Sequence, residues 1–136
     1  MKEIAAALLI WINANSGFDY VGDPPKIMQT DPENLAHLIL GEVPRIPEKA
    51  KTHLMGLYDV ETETIWLRND FDPTDHKHRG HLVHELVHYL QYQGDRARDI
   101  ANDPNLEPEA YALQNRYLRA HDSAPIPIKR GPNFTN

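Results

Sequence analysis

Residues 80–92 read GHLVHELVHYLQY and contain His84-Glu85-Leu86-Val87-His88, the pattern H-E-x-x-H. On an α-helix, residues four apart lie on the same side, one turn above the other. His84 and His88 can therefore each aim an imidazole nitrogen at one cation. Zinc is well served by two neutral imidazoles, a carboxylate and a water. Glu85 follows the first histidine near the same face, placed to take a proton from a water on that cation. The apolar positions agree with a helix. At about 100° per residue, Leu82, Val83, Leu86, Val87, Tyr89 and Leu90 form one broad arc, and His84, Glu85, His88 and Tyr92 fall opposite. The bland alternative is a solvated His-rich face; the specificity of the motif in a helical context argues against it.

The chain has 136 residues, enough for a single domain with a modest core. A hydrophobic share of 40% and a charged share of 25% predict a somewhat polar globular protein. The net charge of −6 argues against nucleic acid or an anionic membrane as the main partner. There is no cysteine, so disulfides and thiolate metal sites are excluded. The apolar run over 4–12 is too short to span a bilayer. It could imitate the core of a secretion signal, but Glu3 interrupts the charge pattern, and Ile4, Leu8, Trp11 and Ile12 form one face of a core helix. That reading predicts a cytoplasmic protein, with secretion as the alternative.

Outward from the motif, the spacing predicts a helix over 2–15 that stops at Ser16-Gly17. A short strand follows over 26–29. Asp31-Pro32 starts a second helix, with Asp as cap and Pro at the first helical position, and Gly41 ends it. Residues 42–52, with two prolines and several charges, read as a loop. A hairpin is predicted next, with strands over 53–58 and 64–67. The polar stretch 69–79 leads into the motif helix, and Asp75 could cap it early. A charged segment covers 95–103. A last helix runs over about 107–121, with Ala110, Leu113, Tyr117 and Leu118 on its buried side. Residues 1–122 read as one domain of α+β class and 123–136 as a Pro-rich extended tail.

Two imidazoles and a water leave a tetrahedral site one protein ligand short. Glu107 and Glu109 are the candidates, both at the start of the last helix. Here the chain resembles the gluzincins, zinc peptidases with H-E-x-x-H on one helix and a ligand glutamate on the next. In several of their branches the second motif resembles E-x-x-A-[D/N]. Glu107-Pro108-Glu109-Ala110-Tyr111 laid on that pattern makes Glu107 the ligand and Ala110 the small residue that lets two helices approach. Tyr111 departs from it, standing where those families carry Asp or Asn to orient a ligand histidine; its hydroxyl is a candidate substitute. Glu109 remains the rival, since Glu109-Ala110-Tyr111-Ala112 also has a small residue three positions on. Residues 53–120 are also similar to a group of short bacterial zincin-like proteins. The resemblance implies a minimal zincin-like domain, its N-terminal helices and hairpin packed on the motif helix and a glutamate helix.

The chemistry implied is hydrolysis of peptide bonds in a peptide or protein substrate, with one zinc ion and Glu85 as general base. The resemblance makes the strand over 64–67, with Trp66, the edge that pairs with substrate. Tyr92 and Tyr111 are candidate oxyanion donors, although packing roles suit both. His81, one turn before His84, is a candidate substrate contact, with a solvated rim residue as its plainer role. The acidic residues Asp70, Asp72 and Asp75 lack the glycine and closing glutamate of a calcium loop. Two rivals stand beside the peptidase. One is a non-catalytic module stapled by structural zinc. The other is a peptidase inhibited by its own tail. Spacing leaves the oligomeric state open.

Overall fold

The computed structural model describes residues 1–93 and 103–126. The order is α1 (Lys2–Ala14), β1 (Lys26–Thr30), α2 (Pro32–Leu40), α3 (Glu48–His53), β2 (Gly56–Asp59), β3 (Thr64–Arg68), α4 (His76–Gln91) and α5 (Leu106–Ala120). The domain is α+β, with helices on both faces of a three-stranded sheet of order β1-β3-β2. The segment predicted as charged over 95–103 lies outside the described residues except for Asp103, and so does the tail from residue 127 on.

The caps follow local chemistry. The Asp31 carboxylate accepts from the Asn34 N–H at 2.8 Å, and Pro32 begins α2. Asp75 caps α4 by accepting from the Lys77 N–H at 2.8 Å, so the motif helix starts at His76. The stretch 42–52 is not wholly a loop. Glu48–His53 forms α3, whose Ala50 is buried with Leu35, Ala36 and Leu54. His53 thus belongs to a helix, and β2 begins only at Gly56. The Arg68 guanidinium stitches this turn together. It donates from Nη1 to the Thr52 carbonyl at 3.0 Å and from Nε to Asp70 at 2.6 Å.

The strand over 64–67 is not an edge. β3 pairs parallel with β1 (Ile27 beside Ile65) and antiparallel with β2 (Tyr58 beside Ile65), which makes it central. The reason lies in a distant segment: β1 covers the side of β3 that a lone hairpin would leave open. β2 is the strand with a free edge beside α4.

Alternation along β3 sorts its side chains into two cores. Ile65 and Leu67 join the main core with α1, α4 and α5, and Trp66 packs with Leu35, Ile46 and Leu54 on the other face. α4 is buried from Leu82 to Gln91 because α1, the sheet and α5 all lean on it. α5 runs antiparallel to it. Gln114 reaches His84, and Glu107 reaches His88 one turn further on. Close approach is enforced at Gly80, where an added Cβ would lie 3.0 Å from Leu118 Cδ2. Gly80→Leu should therefore cost about 1–3 kcal/mol in a urea titration. Ile10→Ser, on the exposed side of α1, should stay within about 0.5 kcal/mol.

Candidate metal centre

Three side chains from two helices converge on one point. His84 Nε2 lies 3.1 Å from His88 Nε2 and 3.3 Å from Glu107 Oε1. His88 Nε2 lies 2.5 Å from the same oxygen. Their partners decide which ring nitrogens carry protons. The Gln91 amide donates to the Leu106 carbonyl at 2.9 Å and to Glu109 Oε1 at 3.0 Å. Its oxygen is thereby turned toward His88 Nδ1, which donates to it at 2.8 Å. Gln114 plays the same part for His84: His84 Nδ1 donates to Gln114 Oε1 at 2.9 Å, while Gln114 Nε2 donates to His81 Nδ1 at 3.3 Å. In their neutral forms both rings then present a bare Nε2 to each other and to a carboxylate oxygen. Three lone pairs at such distances repel unless a cation lies among them. A tetrahedral zinc with bonds near 2.0–2.1 Å sets its ligand atoms about 3.3 Å apart, and two of the three separations are close to that. These are the residues that could hold a metal ion.

Electrostatics sharpens the site. Burial holds the His84 imidazole below its usual range and so keeps it neutral, against the pull of Glu107. Burial raises Glu107, but in the metal-free site hydrogen bonds from His84 and His88 and then their positive charge, in states where Nε2 carries a proton, outweigh that and hold it at about 2. Glu85 is shifted the other way. Burial and then the Glu107 charge push its carboxyl well up, and the Tyr58 backbone N–H only partly offsets them. Glu85 Oε1 and Glu107 Oε2 are buried without a hydrogen-bond partner. Glu85, His88, Tyr92 and Glu107 share a cavity of about 320 Å³ with Leu57 and Tyr58 of β2. Gly56 makes room for it, since a Cβ there would come within 3.2 Å of Glu85 Cγ.

The remaining sequence candidates are dispersed. Glu109 lies outside the cluster and accepts from Gln91. Tyr111 sets its ring edge-on to His84 at 4.5 Å, but Gln114 is the residue that orients the histidine. The orienting group thus sits seven residues after Glu107, on the same helix face, rather than four. Tyr92 lines the cavity, with its ring 6.0 Å from that of Tyr58. Trp66 packs against the other face of the sheet, away from the site, because neighbouring strand residues point to opposite sides. His81 is not a solvated rim residue. It is half-buried against Gln114, and burial pushes its pKa down to about 3. Gln91 and Gln114 were not singled out by sequence. Their only signal was phase: Gln91 follows His88 by three, and Gln114 follows Glu107 by seven.

An α+β domain with two imidazoles and a carboxylate gathered from adjacent antiparallel helices is therefore the class that fold and site define. Residues 1–125 match the family described as Domain of unknown function (DUF6647), and the chain belongs to that family. No curated protein and no solved structure matches it. Among the described residues no helix is long and apolar enough to cross a membrane.

Three outcomes are expected. Gln91→Leu and Gln114→Leu should each weaken zinc binding about 10–100-fold in a chelator competition. Glu107→Ala should lower zinc content more than Glu109→Ala. In the metal-free protein, Glu85→Gln should raise the melting temperature near pH 7. A carboxyl raised in the folded state costs nothing when both states are protonated, and costs stability once the pH passes its unfolded pKa, about 4.3. The difference between the two proteins should therefore vanish as the pH falls below 4.

Proposed function

We propose that the protein is a zinc-dependent hydrolase of peptide bonds, a minimal single-domain relative of the gluzincins. The carrying observation is the convergence of two bare imidazole nitrogens and the Glu107 carboxylate beside an unpartnered buried oxygen of Glu85. The donor set suits zinc: two imidazole nitrogens and one carboxylate, with no thiolate in the chain and no further protein ligand in the group among the described residues. Bound there, zinc supplies Lewis acidity, polarising a carbonyl and lowering the pKa of a water.

The chain's own residues supply the rest. His84, His88 and Glu107 fix the ion, and Gln114 and Gln91 hold both rings in the tautomer that leaves Nε2 free. Glu85 takes the proton of the water that adds to the scissile carbonyl carbon. As the carbon–nitrogen bond breaks, Glu85 passes that proton to the leaving amine. A carboxylate with a raised pKa is suited to both halves of the transfer.

The substrate strand adds to β2. The Arg68 N–H donates to the Met55 carbonyl at 2.9 Å, which sets the phase of the ladder. Leu57 and Asp59 then face β3, and the peptide groups of Gly56 and Tyr58 face outward. Glu85 already takes the Tyr58 N–H, so the general base sits at the edge where an extended peptide would pair. Tyr92, in the same cavity, is the better placed of the two tyrosines to donate to the developing oxyanion.

A purely structural zinc is the second reading. It is disfavoured because structural sites close all four positions with protein ligands, whereas here three ligands border a cavity that Glu85 also lines. Zinc-loaded Glu85→Gln should keep its metal and lose peptide cleavage by about 10²–10⁴-fold. A zinc-loaded wild-type protein that cleaves no peptide in a broad substrate library would return the site to the structural reading.

A further inference from the structure

The helix that carries both histidines of the metal cluster extends about three turns back from His88 to its start at His76. Lys77, His81, His88 and Tyr92 are spaced by four, seven and four residues, one or two helical turns each, and so share one stripe of that helix. β2 flanks the stripe on one side, through Gly56 beside Glu85, and α5 on the other, through Gln114 beside His81. Beyond His88 the stripe borders the cavity already described, whose remaining lining is apolar or aromatic: Leu57, Val60, Tyr92 and Leu106. At the opposite end lies a second cavity of about 500 Å³, lined by Met55, Arg68, Lys77, His78, His81 and residues 123–126. Among the described residues no Asp or Glu side chain lines it, although the protein as a whole carries a charge of −6.

Beside Thr52, His53 and Ser123, this second cavity is lined by four groups that can donate, Arg68, Lys77, His78 and His81. His78 Nδ1 accepts from the Asp72 N–H at 2.8 Å, and His81 Nδ1 accepts from Gln114 at 3.3 Å. Each neutral ring therefore carries its proton on Nε2 and offers an N–H. The nearest acid to His78 Nε2 is Asp75, at 3.9 Å, beyond hydrogen-bond reach, and its carboxylate already caps α4. Arg68 is occupied by Asp70 and by backbone carbonyls, so its charge is largely matched. Lys77 has no ion pair among the described residues and is exposed. One ammonium and two ring N–H groups, with Asp75 engaged at the cap of α4 rather than hydrogen-bonded to them, suit a carboxylate.

We propose that this cavity is a subsite for a carboxylate of the substrate, either an acidic side chain or a free C-terminus, with an apolar residue held on the other side of the metal cluster. The proposal rests on the peptidase reading and names its substrate class. The test uses zinc-loaded Glu85→Gln protein, which should bind peptide without cutting it. A blocked Ala/Leu heptapeptide with one Glu walked through its positions is titrated beside its Gln counterparts, and beside a Gln peptide with a free C-terminal carboxylate. One Glu position, or the free terminus, should tighten binding about tenfold, and the responding arm names the source of the carboxylate. Lys77→Arg should keep the gain, and Lys77→Glu should abolish or reverse it. Equal or absent binding across the series, or a gain that survives Lys77→Glu, rejects the subsite. Cleavage by unsubstituted zinc-loaded protein scores the parent reading separately. Cleavage indifferent to acid leaves a peptidase without this subsite. Acid-dependent, Lys77-dependent binding without cleavage leaves the subsite and removes the peptidase.

Discussion

A carboxylate on one helix has to lie within bonding distance of two imidazoles on its neighbour, and the rest of the architecture serves that constraint. Helices that pack through ordinary side chains keep their axes about 8–10 Å apart. Here Gly80 lets Leu118 settle against the backbone of α4, and Ala110 is fully buried on α5. The antiparallel pairing then brings Glu107, at the start of α5, level with His88, toward the end of α4. Glu107 also sits in the first turn of α5, where the partial positive charge of the helix end favours a carboxylate.

Burial perturbs the ionisation of the same cluster. A buried charge costs several kcal/mol unless it is paired, and four ionisable groups meet here. One of them, His84, stays neutral through burial, against the pull of Glu107 and Gln114. Glu107 stays charged through the histidines. Glu85 is left with a raised pKa and one oxygen without a partner, because the nearest charge is another carboxylate. A divalent cation among these groups would relieve both the repelling lone pairs and the uncompensated acids. The same arrangement that is awkward for an empty fold is therefore apt for a metal centre.

The sheet contributes position. With β3 in the middle, one of its faces packs on α4 and the other buries Trp66 among α2 and α3. β2 is left at the edge, with its peptide groups beside Glu85. The cavities toward the two ends of α4 differ in their lining, with donors and a lysine near its start and apolar groups near its end. A substrate lying across the cluster would meet both.

What the sequence by itself determined were the features set by one turn of helix or one capping residue. The shared face of His84 and His88, the apolar back of α4, the Asp31 and Asp75 caps and the α+β class all follow from spacing and local chemistry. Glu107 and Glu109 show where that reach ends. They are about 200° apart on α5, so only one can face the imidazoles, and which one depends on how the helix is docked. The amides of Gln91 and Gln114 became orienting groups only once α5 lay beside α4. Likewise β3 became central only because β1, more than thirty residues upstream, pairs with it. Strand order, the identity of the third cluster residue and the tautomers of its histidines are properties of contacts between distant segments, and periodicity within a segment carries no information about them.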